Sequence, residues 1–361
     1  MQHEAITTDE YHLSLRHYEI PPHALTLPHT VVKLHLDLSG GRLIGSGGVR
    51  RIAEQLRVGA HTLECLKLHL SCMGLCDGEF MDFCSIGLAS LHALSHVNLD
   101  VSHNYKLTTV GVNAIQTALP PSVRCLELSL EDNQNIPHIE LHHATGLRAV
   151  TLHIEGTHVV TLQVSNNVTD MTANLRTICH PTSSHGFIID NRLLAGTWIH
   201  AGMRRLNLTL DAESTALLGE ILTPIGPLVD LYLETEGQAL SPQLWDAVRV
   251  LGTTGRLRSF HLLHCEKNNN GARIMPLPLG LSACHQLISL QLDMMFTMPS
   301  TWLGFVIRTV AHDLMNIESF HLALCSVRTD ACEEIITTKN IKRRSSCDGS
   351  NSHNNTQVEK K

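Results

Sequence analysis

The chain has 361 residues, of which 43 % are hydrophobic, 17 % charged and 4 % aromatic, with mean hydropathy +0.02. Enough apolar material is present for a large core, which must be built from Leu, Ile, Val and Ala rather than aromatics. The net charge of −7 and pI near 6.4 carry no footprint for nucleic acid or anionic lipid.

Residues 1 to 30 precede the first regular element and read as a short N-terminal cap, with His3, His12, His17 and the turn Pro21-Pro22. Met1 to Glu10 has no apolar run, so neither a secretory signal nor a transit peptide is expected. No run of about 18 apolar residues marks a membrane span. The 11 cysteines are scattered without a C-x-x-C pair, which suits reduced thiols. A cytoplasmic location is expected, with a nuclear one as the alternative.

From Val31 onward one pattern recurs, L-x-x-L-x-L-x-L with any aliphatic at the L positions and sometimes Phe or Met. It starts at Val31, Leu63, Leu94, Val123, Leu147, Met203, Leu228, Leu257, Leu287 and Ile317, at intervals of 32, 31, 29, 24, 56, 25, 29, 30 and 30 residues. The alternation predicts strands. The interval of 56 residues is twice 28 and predicts a degenerate repeat, for which Val159–Val164 supplies the candidate strand, in a poor register. Helical periodicity between the strands predicts helices near Gly48–Leu56, Val110–Leu119, Leu244–Leu251 and Leu303–Leu314. A strand, a turn and a helix every 28 to 30 residues form an α/β unit that buries its two faces only when stacked.

The segment Leu34–Leu56, L-H-L-D-L-S-G-G-R-L-I-G-S-G-G-V-R-R-I-A-E-Q-L, resembles a leucine-rich repeat of the ribonuclease-inhibitor-like type, as does Val97–Asn104 followed by Val110–Leu119. The resemblance covers about residues 31 to 330. It implies an α/β leucine-rich-repeat solenoid, or horseshoe, of about 10–11 repeats, with a concave parallel sheet and helices on the convex side. Relatives of that type act as inhibitors, GTPase-activating partners and adaptors through protein contacts. The chain departs from the pattern in an extra aliphatic at the eighth strand position. It also departs in the Asn that ladders between repeats, present only at Asn104 and Asn133, with Gly41, Met73, Thr157 and Glu213 elsewhere. The solenoid is assigned to residues 31–335, with an irregular repeat or insertion about 157–202 that contains His180–Gly186. Lys267–Gly271 reads as a loop inside a repeat.

Residues 336–361 are polar and basic and are expected to be a disordered tail, with Lys342–Ser346 as either a solvated stretch or a basophilic kinase site at Ser346.

Side chains alternate along a strand, so the third, fifth and seventh motif positions point away from the core and form rows across neighbouring strands. The third row includes Lys33, Cys65, His96, Cys125, Arg205, Asp230 and Ser259. The fifth includes His35, Lys67, Asn98, Glu127, Tyr232, His261, Gln291 and His321. The seventh includes Asp37, His69, Asp100, Glu234 and Asp293. This face is enriched in histidine, and fourteen of its residues are the candidate partner-binding set: His35, Asp37, Lys67, His69, Asn98, Asp100, Glu127, Arg205, Tyr232, Glu234, His261, Gln291, Asp293 and His321.

Asp37, His69 and Asp100 are expected side by side, an arrangement that favours a charged imidazole and a pH-sensitive patch. Cys65, His96 and Cys125 have ligand chemistry suited to Zn²⁺, but as a row on a sheet they read first as ordinary polar surface, so no metal or cofactor is assigned. Gly40–Gly48 lacks the Lys of a phosphate loop and reads as the turn into a helix. No nucleophile or metalloprotease motif occurs, so no catalytic residue is assigned. The expected function is a protein-binding scaffold without catalytic activity. A pH- or metal-sensitive regulatory subunit and a subunit of a larger assembly are the alternatives.

Overall fold

A computed structural model describes residues 9–16, 31–41, 47–59, 61–157, 159, 161–174, 202–211, 228–237, 240, 242–266 and 277–328. His3, His17, Pro21-Pro22, most of the 175–202 stretch, the Lys267–Gly271 loop and the 336–361 tail lie outside these residues.

The architecture is α/β. Twelve strands form one sheet in the order β1-β2-β3-β4-β5-β7-β9-β10-β11-β12-β13-β14, and β6 and β8 form a second, two-stranded sheet. The main strands are β1 (Glu10–Ser14), β2 (Lys33–Asp37), β3 (Cys65–His69), β4 (His96–Asp100), β5 (Cys125–Ser129), β7 (Ala149–His153), β9 (Asp170–Asn174), β10 (Arg205–Asp211), β11 (Asp230–Gly237), β12 (Ser259–Glu266), β13 (Ser289–Pro299) and β14 (Ser319–Arg328). Every pairing is parallel, and each strand pairs with its spatial neighbour at the same motif position.

One row shows why the sheet stacks this way. Leu34, Leu66, Val97, Leu126, Val150, Met171, Leu206, Leu231, Phe260, Leu290 and Phe320 are register partners in succession, and all are buried. A second row two residues further on, from Leu36 to Leu322, is equally buried. Each strand covers its neighbour's aliphatic side chains, so an isolated unit would leave them wet.

The helices pack on the side of these aliphatic rows. They are α1 (Gly47–Gly59), α2 (Asp77–Asp82), α3 (Thr109–Ala118), α4 (Pro242–Thr253) and α5 (Ser300–His312). All four helices expected from periodicity are present. α2 was not expected; it runs on into a π turn at Phe83–Gly87 and a 3₁₀ turn at Leu88–Ser90, anchored by the buried stacked pair Phe80 and Phe83. Asp77 of α2 accepts hydrogen bonds from Thr108 N, Thr108 Oγ1 and Gly111 N, satisfying donors at the start of α3 that the helix itself cannot.

Where the repeat shortens, the back layer changes. β6 (His138–Leu141) and β8 (Thr161–Val164) occupy the connections that carry helices elsewhere. α3 satisfies the free edge of β6: Glu140 N donates to Asn113 Oδ1 and His138 N to Thr109 Oγ1. This corrects the expected position of the degenerate repeat. Thr161–Val164 of the candidate strand belongs to the small sheet, and the missing rung of the main sheet is β9, between β7 and β10. Its motif, starting at Val168, carries Met171 in the first aliphatic row and Ala173 where the other rungs carry Leu. The N-terminal region also contributes a rung, since β1 pairs with the outer edge of β2.

After β2, β3, β4, β5 and β7 the turn repeats as closely as the strand does. Gly40, Cys72, His103, Asp132 and Gly156 all have positive φ, between 57° and 70°. The first four each donate their backbone N–H to the next rung, at Ser71, Ser102, Glu131 and Glu155 O. One residue further on sit Asn104 and Asn133, both fully buried. Asn104 Oδ1 accepts from Met73 N and Leu75 N, and its Nδ2 donates to Leu70 O and Val101 O. Asn133 accepts from Asn104 N and donates to Val101 O. Two amides thus satisfy the turn backbone after β3 and after β4.

Candidate functional site

The third, fifth and seventh positions face away from the aliphatic rows and the helices. The expected rows are reproduced residue for residue: Lys33, Cys65, His96 and Cys125 are consecutive partners, as are Tyr232, His261, Gln291 and His321, and Asp37, His69 and Asp100. All fourteen candidate residues lie on this face. Inserting β9 and β1 adds Glu10, His12, Asp170, Thr172 and Asn174 to the rows. A fourth row, at the ninth position, adds Glu131 and Glu155, which the strand motif did not reach.

Three groups form on the face. The first is a chain of imidazoles across β1 to β4. Glu10 Oε1 meets His12 Nε2 at 2.8 Å, the Nδ1 atoms of His12 and His35 are 3.1 Å apart, the rings of His35 and His69 are 5.4 Å apart, and His69 Nδ1 meets Asp100 Oδ2 at 3.2 Å. Burial lowers the His35 pKa, and the neighbouring charges of Lys67, His69 and His12 lower it further. Asp37 departs from expectation. It is only 5 % exposed and is held by Arg16 and by Ser39 N, so His69 pairs with Asp100 alone. Burial would raise the Asp37 pKa, but the hydrogen bonds from Ser39 and Arg16 outweigh it and hold the carboxyl below its usual range.

The second group lines a depression of about 330 Å³ across β3, β4, β5 and β7, walled by Lys67, His69, Asp100, Glu127, Glu131 and His153 among others. His153 Nε2 lies 3.6 Å from Glu127, and on the adjoining turns His103 Nδ1 lies 3.2 Å from Asp132. Burial raises the Glu131 pKa, and crowding by Glu155 and Asp100 adds to it against partial relief from His153 and His103.

The third group centres on Asp293. His261 Nε2 lies 2.9 Å from its Oδ2, Gln291 Nε2 donates to the same oxygen at 2.7 Å, and His321 Nε2 lies 3.4 Å from Oδ1. Tyr232 meets the His261 ring edge-on at 4.4 Å between centroids. Between the last two groups, Arg205 Nε bridges Asp170 at 3.5 Å and Asp230 at 3.1 Å.

Cys65, His96 and Cys125 are neighbours in register, but His96 Nδ1 faces Ser95 Oγ at 2.8 Å, and burial raises the pKa of both thiols. Among the described residues no group of three or more His, Cys, Asp or Glu is placed to hold a metal ion. A flat row of side chains projecting in parallel does not converge on a point, as tetrahedral coordination requires. No helix among the described residues is long and apolar enough to cross a membrane.

No protein-family model matches this chain, and no curated protein sequence matches it.

Proposed function

We propose that this chain is a leucine-rich-repeat solenoid of the ribonuclease-inhibitor-like type that binds a protein partner on its concave strand face and carries out no chemistry of its own. The observation that supports this most is the uninterrupted registration of polar rows over twelve strands. A surface held by a continuous ladder and a buried aliphatic layer is preformed, so binding orders little of it. Imidazoles and carboxylates there already pair with each other, which suits recognition by charge and hydrogen bonding. Tyr232, packed on His261, is the aromatic anchor of the face. The described cysteines are all free thiols, which supports an intracellular setting.

The test is affinity capture of partners by the full chain and by a variant with Tyr232, Glu234 and His261 all replaced by Ala. The variant is expected to lose partners that a convex-side variant, Glu54→Gln on α1, retains. If it keeps every partner, the concave face is not the binding surface.

A second reading, pH-regulated binding, is favoured by the imidazole chain from His12 to His69. It predicts partner affinity that changes between pH 7.5 and 5.5; a flat profile removes it.

A further inference from the structure

We propose that the stretch of strand face from β4 to β9 is a docking surface for a cationic segment of a partner protein, one that presents Lys or Arg side chains. The inference rests on the concave-face reading above and names its partner chemistry.

Charge along the face is uneven. The outward positions of β1 to β3 carry Lys33 and Lys67 beside Glu10 and Asp37, and Arg16, two residues past the end of β1, pairs with Asp37. The outward positions of β4, β5, β7 and β9, with the turn residues that continue them, carry Asp100, Glu127, Glu131, Glu155 and Asp170, and no Lys or Arg. Asp132 adds a further carboxylate on the adjoining turn. Asp170 is paired with Arg205 from β10, while Asp100, Asp132 and Glu127 are met by the imidazoles of His69, His103 and His153. Unlike a Lys or Arg side chain, an imidazole carries positive charge only when it is protonated.

Glu131 marks the centre. Its carboxylate makes no hydrogen bond or ion pair among the described residues, and it lines the depression beside Glu127 and His153. A half-buried carboxylate among like charges is uncomfortable, and an incoming ammonium or guanidinium relieves it. The alternative cation, a metal ion, has no set of three ligands to hold it among the described residues. Adjacent parallel strands lie about 4.8 Å apart, so four rungs span roughly 14 Å, longer than a single amine and suited to a peptide segment crossing them.

The experiment uses the full-length chain at low ionic strength with two labelled peptides, one alternating Lys with Ser and one alternating Glu with Ser, read by fluorescence anisotropy. The Lys peptide is expected to bind, with the Glu peptide at least about tenfold weaker. The double variant Glu127→Gln plus Glu131→Gln is expected to weaken Lys-peptide binding about tenfold. A double variant of equal charge change on the helical side, Glu54→Gln plus Asp246→Asn, is expected to leave it within about twofold. Circular dichroism and melting of both variants establish that they fold as the parent does. Equal weakening by the two double variants assigns binding to net charge and overturns the proposal, as does absence of Lys-peptide binding. If the Tyr232/Glu234/His261 variant loses natural partners while Glu127→Gln plus Glu131→Gln keeps them, the cationic-segment inference fails and the concave-face reading stands. If the first variant loses none, the reading itself fails.

Discussion

The Nδ1 atoms of His12 and His35, on adjacent strands β1 and β2, face each other at 3.1 Å. That contact is a hydrogen bond only while one of the two nitrogens is unprotonated. Lys67 and His69 flank His35 from β3, Asp37 follows on its own strand, and Glu10 holds the far nitrogen of His12. Protonating both rings places like charges in contact between β1 and the rest of the sheet.

The lowered His35 pKa sets the sign. Below the ordinary value of 6.5 the unfolded chain binds this proton more readily than the folded one, so the stabilisation is complete above that pH and is lost as pH falls through the lowered folded value. Because β1 is an edge strand, the loss is expected locally. Amide hydrogen exchange of Glu10–Ser14, corrected for the intrinsic pH dependence of exchange, should show less protection at pH 5.5 than at 7.5, and His35→Gln should remove that difference. Equal protection at both pH values rules out the coupling.

His264 provides a second pH dependence, inside the protein. It is 2 % exposed, its Nδ1 lies 2.8 Å from Thr235 Oγ1, and burial lowers its pKa to about 4. The same sign applies, so the stabilisation is present above pH 6.5 and lost toward pH 4. The shift corresponds to about 3 kcal/mol across that window. Denaturation measured from pH 7 to pH 4 should fall less steeply for His264→Leu than for the parent. An unchanged slope in the variant would show that His264 is not the source.

The buried amides of the turns are unequal. Asn104→Ala strands backbone donors at Met73 and Leu75 as well as the acceptor Leu70 O, and should cost about 3–5 kcal/mol. Asn133→Ala strands Asn104 N alone, because Val101 O keeps its bond from Asn104 Nδ2, and should cost about 2 kcal/mol. Urea unfolding should rank the two in that order; the reverse order would contradict the ladder.

Cys72 occupies with an ordinary side chain a φ of 58°, where the equivalent Gly40 and Gly156 carry none. Cys72→Gly should therefore stabilise by about 0.5–1 kcal/mol, the relief of left-handed strain exceeding the added freedom of the unfolded chain. Gly156→Ala should destabilise by at least about 1 kcal/mol, because a Cβ there meets Asp132 Oδ1 at 2.2 Å as well as an unfavourable φ. Thermal melting of both variants decides; two shifts of the same sign would contradict the equivalence of the turns.

Period and alternation in the sequence were sufficient for the ten aliphatic strands, their mutual register, the four amphipathic helices and the membership of the polar rows. The reason is geometric. A two-residue alternation leaves one side of each strand to bury, and equal spacing leaves one way to stack the strands. Features that depend on a neighbour rather than on a period were decided only in three dimensions. β9 joined the sheet with Met171 and Ala173 because β7 and β10 flank it, while the more aliphatic Thr161–Val164 went to the back layer beside β6. Asp37 was covered on the face by Arg16, which the sequence sets 21 residues away, and Glu131 was placed beside Asp100 and Glu155 from its two flanking rungs. Side-chain spacing along one strand is a property of the chain, whereas a charge's partner, its burial and hence its proton affinity belong to the fold.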